Sequence, residues 1–544
     1  MRGKMTLYAF LFVVAAGVLS QCEADTVSCG TVYISSTGEY TFLPGIEDKL
    51  HGAAYGSFNR TINQTGWGVL NIAAGYYKTS GTLRDDQILT AAGILEGALT
   101  QSEIYLAYRN LYYADYSNTS SPMVMRVKQF FETQREWMEG MIASNNSTHW
   151  YYTNLIYAQF QGLMLGYSIV APSEEKLDTF AFDLLGGTGD LLDIINFISP
   201  ESRPSLDKMS KEQLDSYLDS GHCSALIKAL PGYEDVFASH SSWYAYASML
   251  RIFKHYAFNL NDKNAATQVM SFSSYPAFLS SLDDFYIMDS KLVMLETTNS
   301  IINGSLYDSA TPKALLAWHR VRLANWLATG GEQWAGYISE YNSGTYNNQY
   351  MVLDLKKITL KSDIADDALW VVEQIPGYVA SGDQTPILRT GYWASYNIPF
   401  YEYVYNVSGY PELVEKYGPD YSYQLAPRAK IFRRDESKVQ DMTSMEHIMR
   451  YNDYLHDPYS EGNPMKSICS RGDLQTKPSP GGCIDTKVTS YELALALTSW
   501  AQNGPTHDDL SAFNWSSSPL VNVTHVGQPT VFNFGFVQMV PAVP

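Results

Sequence analysis

The sequence predicts an α+β protein in which sheets are layered with helices. Three observations carry this. Residues 30–80 are β-leaning runs divided by glycines and polar turns, residues 82–196 switch to helical spacing of apolar side chains, and strand-like runs return from Cys223 onward. The 544 residues are 45% hydrophobic and 17% charged, which is the composition of a packed globular chain and not of a disordered one.

Taken in order, residues 1–24 read as a secretory signal. Arg2 and Lys4 precede the apolar run Leu7 to Leu19, and Cys22-Glu23-Ala24 ends it with a small-x-small cleavage pattern. No later run is apolar over a bilayer-spanning length, so the mature chain is expected to be soluble, in a lysosomal lumen or secreted. Asn-x-Ser/Thr acceptors at Asn59, Asn63, Asn118, Asn145, Asn146, Asn303, Asn406, Asn514 and Asn522 agree with that route. Of the adjacent pair only one, taken as Asn145, is expected to carry sugar. The net charge of -19 argues against a nucleic-acid partner, because a phosphate backbone selects Lys and Arg.

Thr31 to Ser35 and Gly68 to Ala74 are the first expected strands. Thr100 with Glu103 forms a capping-box pattern ahead of a helix over Ile104 to Tyr113, and Val124 to Ile142 and Trp150 to Tyr167 continue the helical spacing. Gly186-Gly187-Thr188-Gly189-Asp190 breaks it. This stretch lacks the lysine of a phosphate-binding loop and reads as a turn. Residues 197–210, with Pro200 and Pro204, read as an exposed linker open to trimming. Ser210 with Gln213 caps a helix that should run toward Leu218 and stop at Gly221. Beyond it, Cys223 to Leu230 and Asp235 to Ser239 read as strands joined by Pro231-Gly232-Tyr233. Trp243 to Phe258 reads as an amphipathic helix, and Lys291 to Thr297 and Gln349 to Leu355 as further strands.

Several chemistries are excluded. There is no Gly-x-Ser-x-Gly elbow, no His-Glu-x-x-His and no Cys-x-x-Cys, so neither a serine α/β-hydrolase nor a zinc site has support. Of five cysteines, Cys469 and Cys483 flank a Gly/Pro-rich loop suited to a disulfide. Cys22 is expected to leave with the signal, so Cys29 is left to pair with Cys223, or with Cys22 if cleavage falls after Ser20, and Cys223 is either bridged or free for chemistry. It follows Gly221-His222 and opens a strand. Were the peptide bond before it cut, its α-amine, with a reference pKa of about 7.7–8, would lie beside a thiol of about 8.5 and serve as a built-in base. The chain would then divide into residues 25–222 and 223–544.

Five blocks are similar to the phospholipase B-like family of lysosomal and secreted amino-terminal-nucleophile hydrolases. They are Gly221 to Lys228, Ser239 to Trp243, Asn342 to Gln349, Tyr392 to Pro399 and Pro427 to Asp435. The resemblance implies a four-layer αββα sandwich with additional helices from the amino-terminal part. It implies autocatalytic cleavage into two associated fragments, and removal of fatty acyl chains from phospholipids at a membrane or lipid-aggregate surface without a cofactor or metal. Carried over by position, Cys223 is the nucleophile, His240 and Trp243 line its pocket, and Asn397 donates an amide to the oxyanion. Thr297 or Thr298 supplies a hydroxyl and Arg433 or Arg434 orients an anionic group. The choice within each pair is open, with Thr298 and Arg434 standing for them in the expected site. Cleavage of N-acyl amides or peptides, or silent lipid binding by a glycoprotein, are the competing expectations.

Overall fold

The computed structural model describes residues 20–21, 26–76, 83–206, 209–218 and 222–544. Most of the expected signal and the turn at Gly221 lie outside the described residues.

Two large sheets dominate. The eleven-stranded sheet runs Tyr378–Asp383, Leu369–Ile375, Asn348–Asp354, Leu292–Thr298, Tyr286–Met288, Val269–Ser274, Arg251–Phe258, Trp67–Ala74, Ala54–Arg60, Val27–Ile34, Tyr40–Pro44. The six-stranded sheet runs Tyr392–Ser395, Cys223–Ala229, Val236–Ala245, Gly481–Ser490, Ser499–Asn503, Val537–Met539. Trp67–Ala74 and Arg251–Phe258 pair in parallel, and the other neighbours within these sheets are antiparallel.

Strand alternation sorts the core into three slabs. Along Leu292–Thr298, Leu292 and Met294 join a core shared with the helices Asp85–Leu99 and Thr148–Val170, while Val293 and Leu295 meet Ala225, Ile227 and Ala238 between the sheets. On the far side, Leu226, Phe237 and Val488 pack under the helices Pro427–Asp435 and Met442–Arg450. Burial of such side chains is the main stabilising term, roughly 25 cal/mol per Å2 of apolar surface. The first helix pair is unusually close. A Cβ at Gly93 or Gly166 would lie 2.0 Å from the carbonyl oxygen of Gln159 or Ile94, so these positions admit no side chain.

Two local expectations are corrected. Trp243 to Phe258 is not a helix. The strand Val236–Ala245 continues past Trp243, a short 3-10 turn spans Tyr246–Ser248, and Arg251–Phe258 is a strand. Every residue of Arg251–Phe258 is buried, because both faces of this central strand are covered. Such a strand shows no alternation and mimics helical spacing. Thr100 does not cap: its hydroxyl donates to Glu96 O at 2.7 Å, and Glu103 pairs with Arg60 instead. The second capping box is present. Gln213 N donates to Ser210 Oγ at 3.2 Å and Ser210 N to Gln213 Oε1 at 2.9 Å.

Cys469 and Cys483 are disulfide-bonded, Cα–Cα 5.1 Å. Cys29 is also in a disulfide, and Cys223 is a buried free thiol. That resolves the open pairing against a Cys29–Cys223 bridge. Asn63, Asn118, Asn146, Asn303, Asn406 and Asn522 are exposed, whereas Asn59, Asn145 and Asn514 are half-buried.

Candidate active site

Register places the site. On three adjacent strands of the smaller sheet, Cys223 lies opposite Ser242 and Ser242 opposite Asp485, while Ala225, His240 and Lys487 form the next row. A bulge between Cys483 and Asp485 sets this alignment. Ala225 and Ile227 point into the core between the sheets, so Cys223, two and four residues before them, points the same way. His240 and Ser242 continue the face of Val236 and Ala238.

The peptide bond before Cys223 bridges two cavities. Cys223, Glu296, Thr298 and Tyr346 line a cleft of about 300 Å3, and His222, Asn397 and Arg428 line one of about 310 Å3. The Trp243 ring belongs to both walls. Trp243 N donates to His222 O at 2.7 Å, so the carbonyl preceding the thiol already holds a backbone donor. Cys223 N donates to Asn397 Oδ1 at 3.0 Å. Arg428 binds the other side, donating to Cys223 O at 2.5 Å and to Asn397 Oδ1 at 2.8 Å, with its guanidinium 4.4 Å from the centre of the Trp243 ring. Asn397 takes a left-handed backbone, φ 67°, an arrangement asparagine tolerates better than most residues. Trp243 is held from behind by the Cys469–Cys483 disulfide and by its Nε1 donating to Ile468 O at 3.1 Å.

Buried charged groups surround the thiol. Burial pushes the Cys223 thiol well up, with Glu296 adding to the effect. Burial, then Asp284, likewise raises the Glu296 carboxyl far above the usual range. Burial followed by Lys487 holds His240 well below its ordinary value. For Asp283, burial opposes ionisation, but Arg251 and Lys487 outweigh it and keep the carboxylate charged. Sγ of Cys223, a His240 ring nitrogen and a Glu296 carboxylate oxygen lie within 4.8 Å of one another. These donor types suit a divalent cation. The Lys487 ammonium 3.1 Å from His240 Nδ1, and the protonation that burial imposes on thiol and carboxyl, favour hydrogen bonding there over ligation.

Among the expected residues, Cys223, Trp243 and Thr298 line the first cleft, and His240 lies beside the thiol. Thr297 does not line that cleft: it continues the inter-sheet face of Val293 and Leu295 and shares a hydrogen bond of 2.6 Å with Ser395. Asn397 is present in a different role: its Nδ2 donates to Thr298 O at 2.7 Å, so the atom facing Cys223 is the acceptor oxygen and not an amide donor. Arg434 is a correction. Its guanidinium pairs with Asp435 and Asp457, and Arg433 reaches Gln424. The arginine that contacts Cys223, through its carbonyl oxygen, is Arg428, six residues earlier on the same helix. Glu296, Ser242, Asp485 and Lys487 were not anticipated. Asp485 and Lys487, two apart in an otherwise uncharged strand, were the available signal for a buried charge on one face.

A family model described as Phospholipase B matches residues 54–539. Phospholipase B-like 1 of Rattus norvegicus is 50% identical over 532 residues, covering 97% of this chain and 94% of the relative. Phospholipase B-like 1 of Homo sapiens is 47% identical, covering 94% and 91%. Phospholipase B of Crotalus adamanteus is 44% identical, covering 96% and 94%.

Proposed function

The chain belongs to the phospholipase B family, and from that premise we propose that it is a hydrolase that removes fatty acyl chains from phospholipids with Cys223 as an amino-terminal nucleophile. The observation that carries the reading is the 2.7 Å hydrogen bond from Trp243 N to the His222 carbonyl, directly before a buried free thiol that lines a cleft. A carbonyl polarised by a fixed donor beside a thiol is the arrangement acyl transfer requires. The helix, sheet, sheet, helix order supports the αββα sandwich of amino-terminal-nucleophile hydrolases.

In the first reaction Cys223 Sγ attacks the His222 carbonyl carbon. The new C–S bond replaces the C–N bond, and the thiol proton ends on the departing nitrogen, which becomes the α-amine. Water then attacks the thioester, releasing the His222 carboxyl group and restoring the thiol. Asn397 Oδ1, which holds the peptide N–H in the uncut chain, is placed to hold the resulting amine. The Arg428 guanidinium beside it disfavours a second positive charge, keeping the amine neutral and able to accept the thiol proton. In turnover the thiolate attacks an ester carbonyl, the ammonium returns its proton to the departing alkoxide, and water releases the fatty acid.

Purified protein should give two fragments on a denaturing gel, the smaller-numbered one ending before a new amino terminus at Cys223. Cys223→Ala should remain one band and lose hydrolysis; retained lipase activity in that variant would move the chemistry elsewhere. Product analysis on phosphatidylcholine, a lysolipid and an N-acyl amide assigns the substrate class, and preference for the amide would replace the phospholipid reading.

A further inference from the structure

His240 sits on the inner face of its strand beside the nucleophile, and its hydrogen bonds define its proton. Nδ1 faces Lys487 Nζ at 3.1 Å and Ser242 Oγ at 3.3 Å. Lys487 Nζ also contacts Asp485 Oδ1 and Ser242 Oγ, each at 2.6 Å, and Asp283 Oδ2 at 3.4 Å. An ammonium has only protons to offer, so the ring atom facing it must present a lone pair. A neutral imidazole with its lone pair at Nδ1 carries its proton at Nε2. That nitrogen is fully buried and, among the described residues, makes no hydrogen bond of good geometry, with the Glu296 backbone near enough to act on the ring.

We propose that Lys487 is a positioning residue that fixes His240 as the Nε2–H tautomer, making the ring a permanent hydrogen-bond donor to negative charge developing at the Cys223 sulfur or acyl oxygen, and not a base. The inference rests on Cys223 being the nucleophile. A base at this place would need its lone pair at Nε2, which would set the other proton against the lysine. Lys487 is itself fixed: it lies opposite His240 in register, and Arg251 binds both of its carboxylate partners, Asp283 and Asp485, with Tyr275 on Asp283 at 2.7 Å. The ring stays neutral because burial and Lys487 suppress its protonation more than Asp283 promotes it. A buried donor without a well-aligned acceptor in the resting chain gains most of its interaction as charge develops, which is where it lowers a barrier.

The direct test is 15N NMR of histidine-labelled, full-length Cys223→Ala protein, with the His240 ring signals assigned by their loss in His240→Gln. The expected result is a neutral ring protonated at Nε2 and unchanged from about pH 5 to 8. An Nδ1–H ring, or titration inside that range, overturns the proposal. The measurement needs no self-cleavage, so its failure is separable from failure of the nucleophile assignment, which the fragment pattern of the unmodified chain reports.

Kinetics give a second readout. His240→Leu should slow self-cleavage about 10²–10³-fold, the usual effect of losing one such donor. His240→Gln, whose amide donates without a tautomer choice, should recover most of that loss; equal slowness of the two variants counts against the donor role. Lys487→Met should slow the reaction about 10–100-fold alone. In the His240→Gln background it should add little, whereas a fully additive loss would make Lys487 merely structural.

Discussion

Two arginines on one helix have separable tasks. Arg428 spans Cys223 O, Asn397 Oδ1 and the Trp243 ring, a planar fork that a lysine cannot reproduce. Arg428→Lys is expected to slow self-cleavage by about 10–100-fold with little change in melting temperature. Arg434→Ala is expected to do the reverse. It leaves Asp457 and Asp435 short of a partner, costing about 1–2 kcal/mol of stability, while the cleavage rate stays near that of the unmodified chain. Measuring both variants by melting and by the gel time course distinguishes them, and a matched loss of rate in Arg434→Ala would contradict the placement. The arginine pair expected from the sequence lies on the helix that reaches Cys223, but Arg428 of that helix makes the contact. Two adjacent arginines announce themselves in a sequence, but the one that matters is chosen by which turn of the helix faces the strand of Cys223, a property of packing alone.

Single elements carry their own pH dependence. Glu373, on the strand Leu369–Ile375, is fully buried and accepts from Gln349 Nε2 and Phe400 N at 2.7 Å and from Tyr401 N at 3.0 Å. It thereby anchors the segment that follows Asn397. Burial raises its carboxyl to about 7. The folded chain therefore keeps a proton that the unfolded chain releases near 4.3. Its contribution to stability is fully present below about pH 4.3 and is lost as pH rises toward 7, by up to about 3 kcal/mol. Glu373→Gln should flatten that part of the melting-temperature profile between about pH 4.5 and 7.5. An unchanged slope would mean the carboxyl is already ionised in the folded state. The elements themselves were unevenly legible. Half-buried strands and capped helices announce their period, as at Ser210–Gln213. The strand Arg251–Phe258, buried on both faces, carries no period of two and was lost to a helical reading.

Across the whole molecule, the proposed cut does not divide the structure where the core divides. Strands Val27–Ile34, Tyr40–Pro44, Ala54–Arg60 and Trp67–Ala74 precede it, yet they complete the eleven-stranded sheet through the parallel seam with Arg251–Phe258. Among the described residues no disulfide joins the two parts: Cys223 is free, and Cys469 and Cys483 close on each other. The fragments should therefore run together on native size exclusion and part only under denaturant, without reductant; separation under native conditions would contradict the shared sheet. The hydrogen bond from Trp243 to His222 has a wider consequence. Its donor comes from one strand, its acceptor from the segment entering another, and the charged cluster beneath it from both sheets. The hydrogen bond belongs to a local hairpin, but the charged cluster is complete only once the two sheets have docked. The proposed scission would thus act as a molecular receipt for completed assembly, and the proportion of nicked polypeptide in a preparation would count the copies that were built correctly.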